Sequence, residues 1–510
     1  MYREHEPGEN SHRQISAIKV SSTTNIAAGR GHRARPARVE GVGSQSRSMD
    51  VSKRPILDHY RCPEGIADFE LAGKLRDDRG FFCFGPETIC YGRSSSGSRS
   101  EQPNGPLYDA RDDVTASSGT VCLPFEPSEI IENLRYERYR KNGDGNGNGL
   151  HRGSMARRLY YSLRPFLPVS IRRHIQRAYL SNWKNISFPQ WPVDRTVDRC
   201  LDRLLALSMR AQGLQTLPFV WFWPDGAASC TIMTHDVEHL SGRNFCSQLM
   251  DLDDAVGIKS SFQIVPEGRY PVPDSLLDDI RQRGFEINVH DLNHNGRLFS
   301  SREEFGRAAE RINAYGRQFG AAGFRSGALY RNQAWFDELD FSYDMSVPSV
   351  AHLDPQRGGC CTITPFFIGR RLELPVTTTQ DYTLFHILND YSIELWQRQI
   401  AAITEHHGLA SFIVHPDYVI AKRARATYQA LLEHLARVRD DGQTWMALPH
   451  EVDEWWRQRS QMSIVRNGRR WLIQGAGKER ARLAYATRVG DTLDFSVDDG
   501  NSPCKATLAG

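Results

Sequence analysis

Three short polar clusters each stand directly behind an apolar run: Thr234-His235-Asp236-Val237-Glu238-His239, His290-Asp291-Leu292-Asn293-His294 and His415-Pro416-Asp417-Tyr418. Asp236 and Glu238 are two positions apart, so on extended backbone they share a face, where one carboxylate can ligate a metal and the other can take a proton. His290 and His294 are four apart, a spacing at which one helical turn brings both imidazoles to the same side. Two imidazoles and a carboxylate make a good site for a divalent transition metal. Each signal has an ordinary counterpart: an HxxxH pair also occurs as surface or packing histidine, and acidic residues behind strands also cap helices. Their common position behind strands sets them apart, because barrel enzymes build their sites at strand ends.

The elements that must hold these clusters begin near Cys230, where short apolar runs start to alternate with longer amphipathic stretches. Candidate strands are Cys230 to Met233, Ser260 to Val265, Phe285 to Val289, Leu372 to Val376 and Ser411 to Val414. Helical periodicity runs from Asp274 to Arg283 and from Arg302 to Phe319. The pattern implies a parallel barrel or an open parallel sheet. No Gly-x-Ser-x-Gly elbow stands near these strands, which favours water over serine as a nucleophile.

The rest of the 510-residue chain is read as flanking material. Residues 1–120 are rich in Arg, Ser, Gly and Pro and are expected to be largely disordered. Residues 121–227 read as linker and helices packing on the main domain. In Phe125 to Arg135, Ser128 caps a helix that carries Ile130, Ile131 and Leu134 on one side, and Asn142 to Gly149 is a flexible linker. Arg157 to Tyr179 is basic and amphipathic, a helix or helix pair packed on the main domain, with weak contact to an anionic membrane surface as its alternative. Val197 to Met209 is a further helix. Residues 464–510, with Trp471-Leu472-Ile473, Ala481 to Ala486 and Leu493 to Val497 around glycine turns, read as a small β appendage. A hydrophobic share of 40% and a net charge of +3 are ordinary globular values. No basic stretch is interleaved with aromatics, so no nucleic-acid partner is expected. Ten cysteines without a CxxC pair point to a reduced compartment. No apolar leader or membrane-length run is present, so the expected location is cytoplasmic.

The order Thr234-x-Asp236, His290-x-x-x-His294, Phe324-Arg325 and a strand ending in His415 resembles the polysaccharide deacetylases, carbohydrate esterase family 4, which include chitooligosaccharide deacetylases. The resemblance runs from Cys230 to Trp456, inside a domain at residues 228–458. Gly257 to Phe262 and Phe341 to Ser346 are similar to the family's second strand and to the segment behind its arginine motif. It implies a distorted parallel (β/α) barrel of about seven strands. It also implies Asp236 as catalytic base and His290 and His294 as metal ligands. The family's usual second Asp is Val237 here. A branch places the acidic ligand one residue later, which makes Glu238 the third ligand, with His239 as its substitute. Arg325 matches the arginine that pairs with the base, although Gly327 stands where the family has proline. His415 matches the general acid. The family's fourth motif is not recognisable in Val376 to Tyr382, where Asp381 is the carboxylate available to orient His415. The implied cofactor is a divalent metal, zinc ahead of cobalt or nickel, and the implied reaction is hydrolysis of an N-acetyl group on a sugar or polysaccharide precursor. The missing second Asp keeps open an inactive carbohydrate-binding protein of the same fold. Relatives of the fold keep open a hydrolase of another non-peptide C–N bond, such as a cyclic ureide.

Overall fold

Almost wholly buried runs such as Ser229–Val237, Ser261–Ile264 and Leu409–Val414 are what strands covered on both faces require. In this computed structural model, which describes residues 50–140, 178, 180–468 and 470–498, they belong to a nine-stranded sheet. Its order is Phe366–Ile368, Arg371–Glu373, Tyr343–Asp344, Gly323–Arg325, Glu286–His290, Ser261–Ile264, Ser229–Val237 and Leu409–Val414. The ninth strand, Thr444–Ala447, pairs with the first half of Ser229–Val237 on the side away from Leu409–Val414. Only Phe366–Ile368 runs antiparallel. The sheet curls into a half-barrel in a mixed α/β fold.

The five strands read from the sequence are all present. The sheet holds more strands than the seven or so that the resemblance implied, and strands such as Gly323–Arg325 and Tyr343–Asp344 were missed by periodicity because they are too short to carry it. Threonine side chains link the two arms of the curl. Thr378 Oγ1 donates to Ser411 O at 2.7 Å, and Ser411 N donates to Thr377 Oγ1 at 3.0 Å. Helices Leu240–Asp254, Asp274–Gln282, Arg302–Phe319, Glu394–Glu405 and Lys422–Asp440 come after strands Ser229–Val237, Ser261–Ile264, Glu286–His290, Arg371–Glu373 and Leu409–Val414 respectively. Arg302–Phe319 is started by Ser301, whose hydroxyl accepts from Glu304 N, and ended by left-handed Gly320 at φ 57°.

The N-terminal expectation needs correction. Residues 54–123 include helix Arg54–Tyr60 and strands Asp68–Leu71, Gly80–Cys83, Ile89–Gly92, Thr115–Ser117 and Thr120–Leu123. Phe81, Phe82, Phe84, Val121 and Leu123 are buried in the same core as Leu201, Leu204, Phe219 and Trp223. A polar average over 120 residues concealed local clusters such as Phe81-Phe82-Cys83-Phe84. Helix Pro127–Arg135 buries Ile130, Ile131 and Leu134 as expected. Its cap is Glu126, which accepts from Ser128 N at 3.0 Å, and not Ser128. The Val197 to Met209 reading corresponds to helix Thr196–Ala211. Residues 1–49, the 142–149 linker and all of the 157–179 stretch except Ala178 lie outside the described residues.

The C-terminal segment forms two hairpins, Ser463–Asn467 with Arg470–Gln474 and Leu483–Val489 with Thr492–Val497. Leu483–Val489 also pairs with Thr216–Val220, and Ala484 and Ala486 are buried in the core just described. Among the described residues, no helix is long and apolar enough to cross a membrane.

Candidate metal and acid–base centre

Because the strands run parallel, their C-terminal ends lie along one rim, and all the singled-out polar clusters stand there. Alternation along Ser229–Val237 divides the first cluster. His235 turns towards the helices, with Nε2 3.0 Å from Asp253 Oδ2. Thr234 and Asp236 turn towards Arg325, whose Nη1 donates to Thr234 Oγ1 at 2.6 Å and to Asp236 Oδ1 at 2.7 Å. Burial alone would raise the Asp236 carboxyl. Arg325, His290 and His415 outweigh it and hold Asp236 below the ordinary carboxylate value.

Glu238, His290 and His294 are all buried, with one donor atom from each within 4.8 Å of the others. His294 Nε2 is 2.8 Å and His290 Nε2 3.8 Å from Glu238 Oε1. The HxxxH spacing does not act through a helical turn, as expected from sequence. His290 ends its strand, the chain turns through Asp291 at φ 57°, and His294 sits in a loop at φ 52°. Its ring centroid is 4.9 Å from that of His290. His290 Nδ1 faces Arg325 O at 3.1 Å, and a carbonyl only accepts, so Nδ1 carries a proton and Nε2 is the atom turned towards Glu238. Both Nε2 atoms are buried and lack a well-aligned hydrogen bond. Two buried ring nitrogens converging on a buried carboxylate make a donor set suited to a divalent cation, and these three residues could hold one. The electrostatics agree. Burial would raise Glu238, but His294, His290 and His415 hold it well below the ordinary value. Burial would lower His290, but Asp236 and Glu238 raise it above the ordinary imidazole value. His239, the substitute ligand, precedes helix Leu240–Asp254 and is not in this group.

His415 follows Leu409–Val414, with Nε2 3.4 Å from Glu238 Oε1. Its other ring nitrogen, Nδ1, is 2.7 Å from Asp381 Oδ1. Burial would lower the His415 pKa, but Asp381 and Glu238 raise it well above the ordinary value.

Two contacts had no sequence reading. Arg269 lies behind the second strand of the domain, and its guanidinium bonds the carbonyl of His294 and lies 3.2 Å from Nδ1. Its position behind a strand was the available signal. Gly327 packs on the site so closely that a Cβ there would lie 2.4 Å from Asp291 Oδ2 and 2.8 Å from His294 Cδ2. The glycine standing where the resemblance calls for proline is therefore a fit to this loop.

No model of a known protein family and no curated protein matches the sequence. Among solved structures, the chain is similar to one from Mycobacterium smegmatis described as a polysaccharide deacetylase, at 17% identity and TM-score 0.37, over 46% of this chain and 92% of that one. It is similar to Puue allantoinase at 14% identity and TM-score 0.36, over 46% and 92% of the two chains. A cobalt-bound family 4 acetyl xylan esterase from Clostridium thermocellum aligns at 12% identity and TM-score 0.29, over 44% and 91%.

Proposed function

We propose that the chain is a metal-dependent hydrolase that removes N-acetyl groups from a sugar or polysaccharide precursor. The observation that carries this reading is the arrangement of three groups on one rim: an arginine-held carboxylate, a buried Glu/His/His donor set, and a carboxylate-held histidine. Glu238, His290 and His294 would hold the ion, with zinc first and cobalt or nickel as alternatives.

A divalent ion held by Glu238, His290 and His294 would polarise an acetyl carbonyl oxygen and acidify water. Asp236, kept ionised and oriented by Arg325, takes the proton of the attacking water. His415, held protonated by Asp381 and Glu238, gives its Nε2 proton to the departing amine, so that amine and acetate leave as separate products. No covalent intermediate is needed.

The test is acetate release from acetylated mono- and oligosaccharides by the full chain, with metal content measured on the same preparation. Metal uptake with chelator-sensitive acetate release supports the proposal. Saccharide binding without release turns the reading to an inactive carbohydrate-binding protein. Hydrolysis of allantoin or another ureide, with no acetate from any sugar, turns it to a different C–N bond.

A further inference from the structure

We infer that His235 is a positioning residue for His415, acting through the peptide bond between Val414 and His415, an inference that rests on the deacetylase reading above. His235 stands between Thr234 and Asp236 but takes no part in the proposed hydrolysis. Alternation along Ser229–Val237 turns it to the opposite face of the sheet from its two neighbours. It is fully buried there, and its ring lies against Phe262 at a 5.0 Å centroid separation. Asp253, at the end of helix Leu240–Asp254, faces Nε2 with Oδ2 at 3.0 Å. Asp253 is itself fixed, accepting from Ser260 Oγ at 2.7 Å and from the hydroxyl of Tyr428 in helix Lys422–Asp440. One side of the imidazole is therefore anchored to the helical wall.

The other side reaches the strand that ends in His415. Val414 is the residue of Leu409–Val414 that pairs with His235 across the sheet. His235 Nδ1 faces Val414 O at 3.2 Å, and a carbonyl only accepts, so Nδ1 carries a proton and donates. That carbonyl belongs to the same peptide unit as the backbone N–H of His415. The N–H donates to Asp381 Oδ2 at 2.7 Å, and Asp381 Oδ1 lies 2.7 Å from His415 Nδ1. A trans peptide unit is planar, with its C=O and N–H pointing to opposite sides. Holding the oxygen therefore fixes the direction of the N–H, and with it the seat of the carboxylate that sets the His415 ring. Hydrogen bonds in series also polarise one another, so donation to the carbonyl strengthens the N–H as a donor to Asp381. The pairing of the two strands ends at Val414 and His235, and the chain turns away from Pro416 onward, so the bond from His235 falls on the last paired residue before the turn.

The two contacts of the ring can be separated by substitution. In His235→Asn the amide nitrogen takes the place of Nδ1 and still donates to Val414 O. In His235→Gln it takes the place of Nε2 and reaches Asp253 alone. His235→Phe keeps a ring of similar shape and loses both.

The test compares these three variants with the full-length wild type. Acetate release from tetra-N-acetylchitotetraose gives kcat and KM, and bound zinc is measured on the same preparations. Spectra of protein labelled with nitrogen-15 histidine follow the Nδ1–H of His415, identified by its absence from His415→Gln. His235→Asn should keep that resonance in place and hold turnover within about threefold of wild type. His235→Gln and His235→Phe should move or broaden the resonance and lower kcat roughly 10- to 100-fold, the cost of misplacing a reacting group by up to about 1 Å, with KM and zinc content within about twofold of wild type. The role is overturned if His235 Nδ1 carries no proton in the wild type, if His235→Gln performs as well as His235→Asn, or if kcat, KM and zinc content deteriorate together in the Gln and Phe variants. If the resonance follows the expected order while no protein, the wild type included, releases acetate, the positioning of His415 stands and the deacetylase reading falls.

Discussion

Asp381 bonds His415 twice, accepting from its backbone amide and from Nδ1, both at 2.7 Å. The pair fixes the ring's direction and leaves Nε2 facing Glu238. Asp381→Asn keeps the size, removes the charge that holds the imidazolium, and presents an amide group where Nδ1 needs an acceptor. Turnover of an acetylated sugar should fall by roughly 10²- to 10³-fold, within the range of general acid catalysis, while metal content stays at the wild-type level. Turnover within twofold of wild type would remove Asp381 from its assigned role.

Gly327 is expected to be intolerant of even a methyl group. Asp291, which the new Cβ would meet, is already tied to Gly327 N at 3.2 Å and to Leu292 N at 2.6 Å, so neither side of the contact is free to yield. In Gly327→Ala, His294 should be displaced and zinc affinity should fall by about 10- to 100-fold, as for changes that misorient a ligating histidine, with an unchanged far-ultraviolet circular dichroism spectrum. An unaltered zinc Kd in a competition titration would show that the loop can shift without disturbing the histidine.

Base and ligand are separable. Asp236→Asn should retain metal and lose roughly 10²- to 10⁴-fold in turnover, whereas His290→Ala should lose the metal. The wild-type metal affinity should also depend on pH. Asp236 and Glu238 raise His290 above the ordinary 6.5 against the effect of burial, so protons compete with the ion below that raised value and affinity falls as pH drops through it. Loss of metal from Asp236→Asn as complete as that from His290→Ala would make Asp236 a ligand and leave the base unassigned.

The groups of the candidate site were legible in the sequence where chemistry and strand-end position coincided, as at Asp236, His290 and His415. Their partners were legible only when a local pattern recorded them. Asp381 meets His415 because the segment behind one strand lies against the next, and nothing near either residue in sequence marks that adjacency. The HxxxH spacing identified a real pair for the wrong reason: left-handed Asp291 and His294 bring the rings together through a loop. His and Asp adopt that conformation more readily than most residues, but no periodicity reports it.

The folded N-terminal region yields a prediction opposite to that from composition. Removing residues 1–120 strips Phe81, Phe82 and Phe84 from the core and uncovers the face of helix Thr196–Ala211 that carries buried side chains such as Leu201 and Leu204. Each large apolar side chain exposed this way costs about 1.5 to 3 kcal/mol, so a few together are comparable to the usual net stability of a domain. The truncated chain should be insoluble or should lose its cooperative urea transition. A soluble truncated protein unfolding at the full-length midpoint would show that the region is an independent attachment.

Glu137 is the point at which stability should respond to acid. Its buried carboxylate accepts from Arg331 Nε at 2.6 Å and from Gly359 N at 2.5 Å, joining the helix Pro127–Arg135 region to the loops of the curled sheet. Burial would raise its pKa, but Arg331 and Arg140 outweigh burial and hold it below the ordinary 4.5. A carboxyl with a depressed folded pKa stabilises fully above its unfolded value and loses that contribution as pH falls through the folded one. Glu137→Gln leaves Arg331 buried without its counter-charge and should cost about 3 to 5 kcal/mol at pH 7 by urea denaturation. Because glutamine imitates the protonated acid, the gap between variant and wild type should narrow as pH is lowered below 4.5. A gap of constant size from pH 7 down to pH 3 would assign the loss to packing instead of charge.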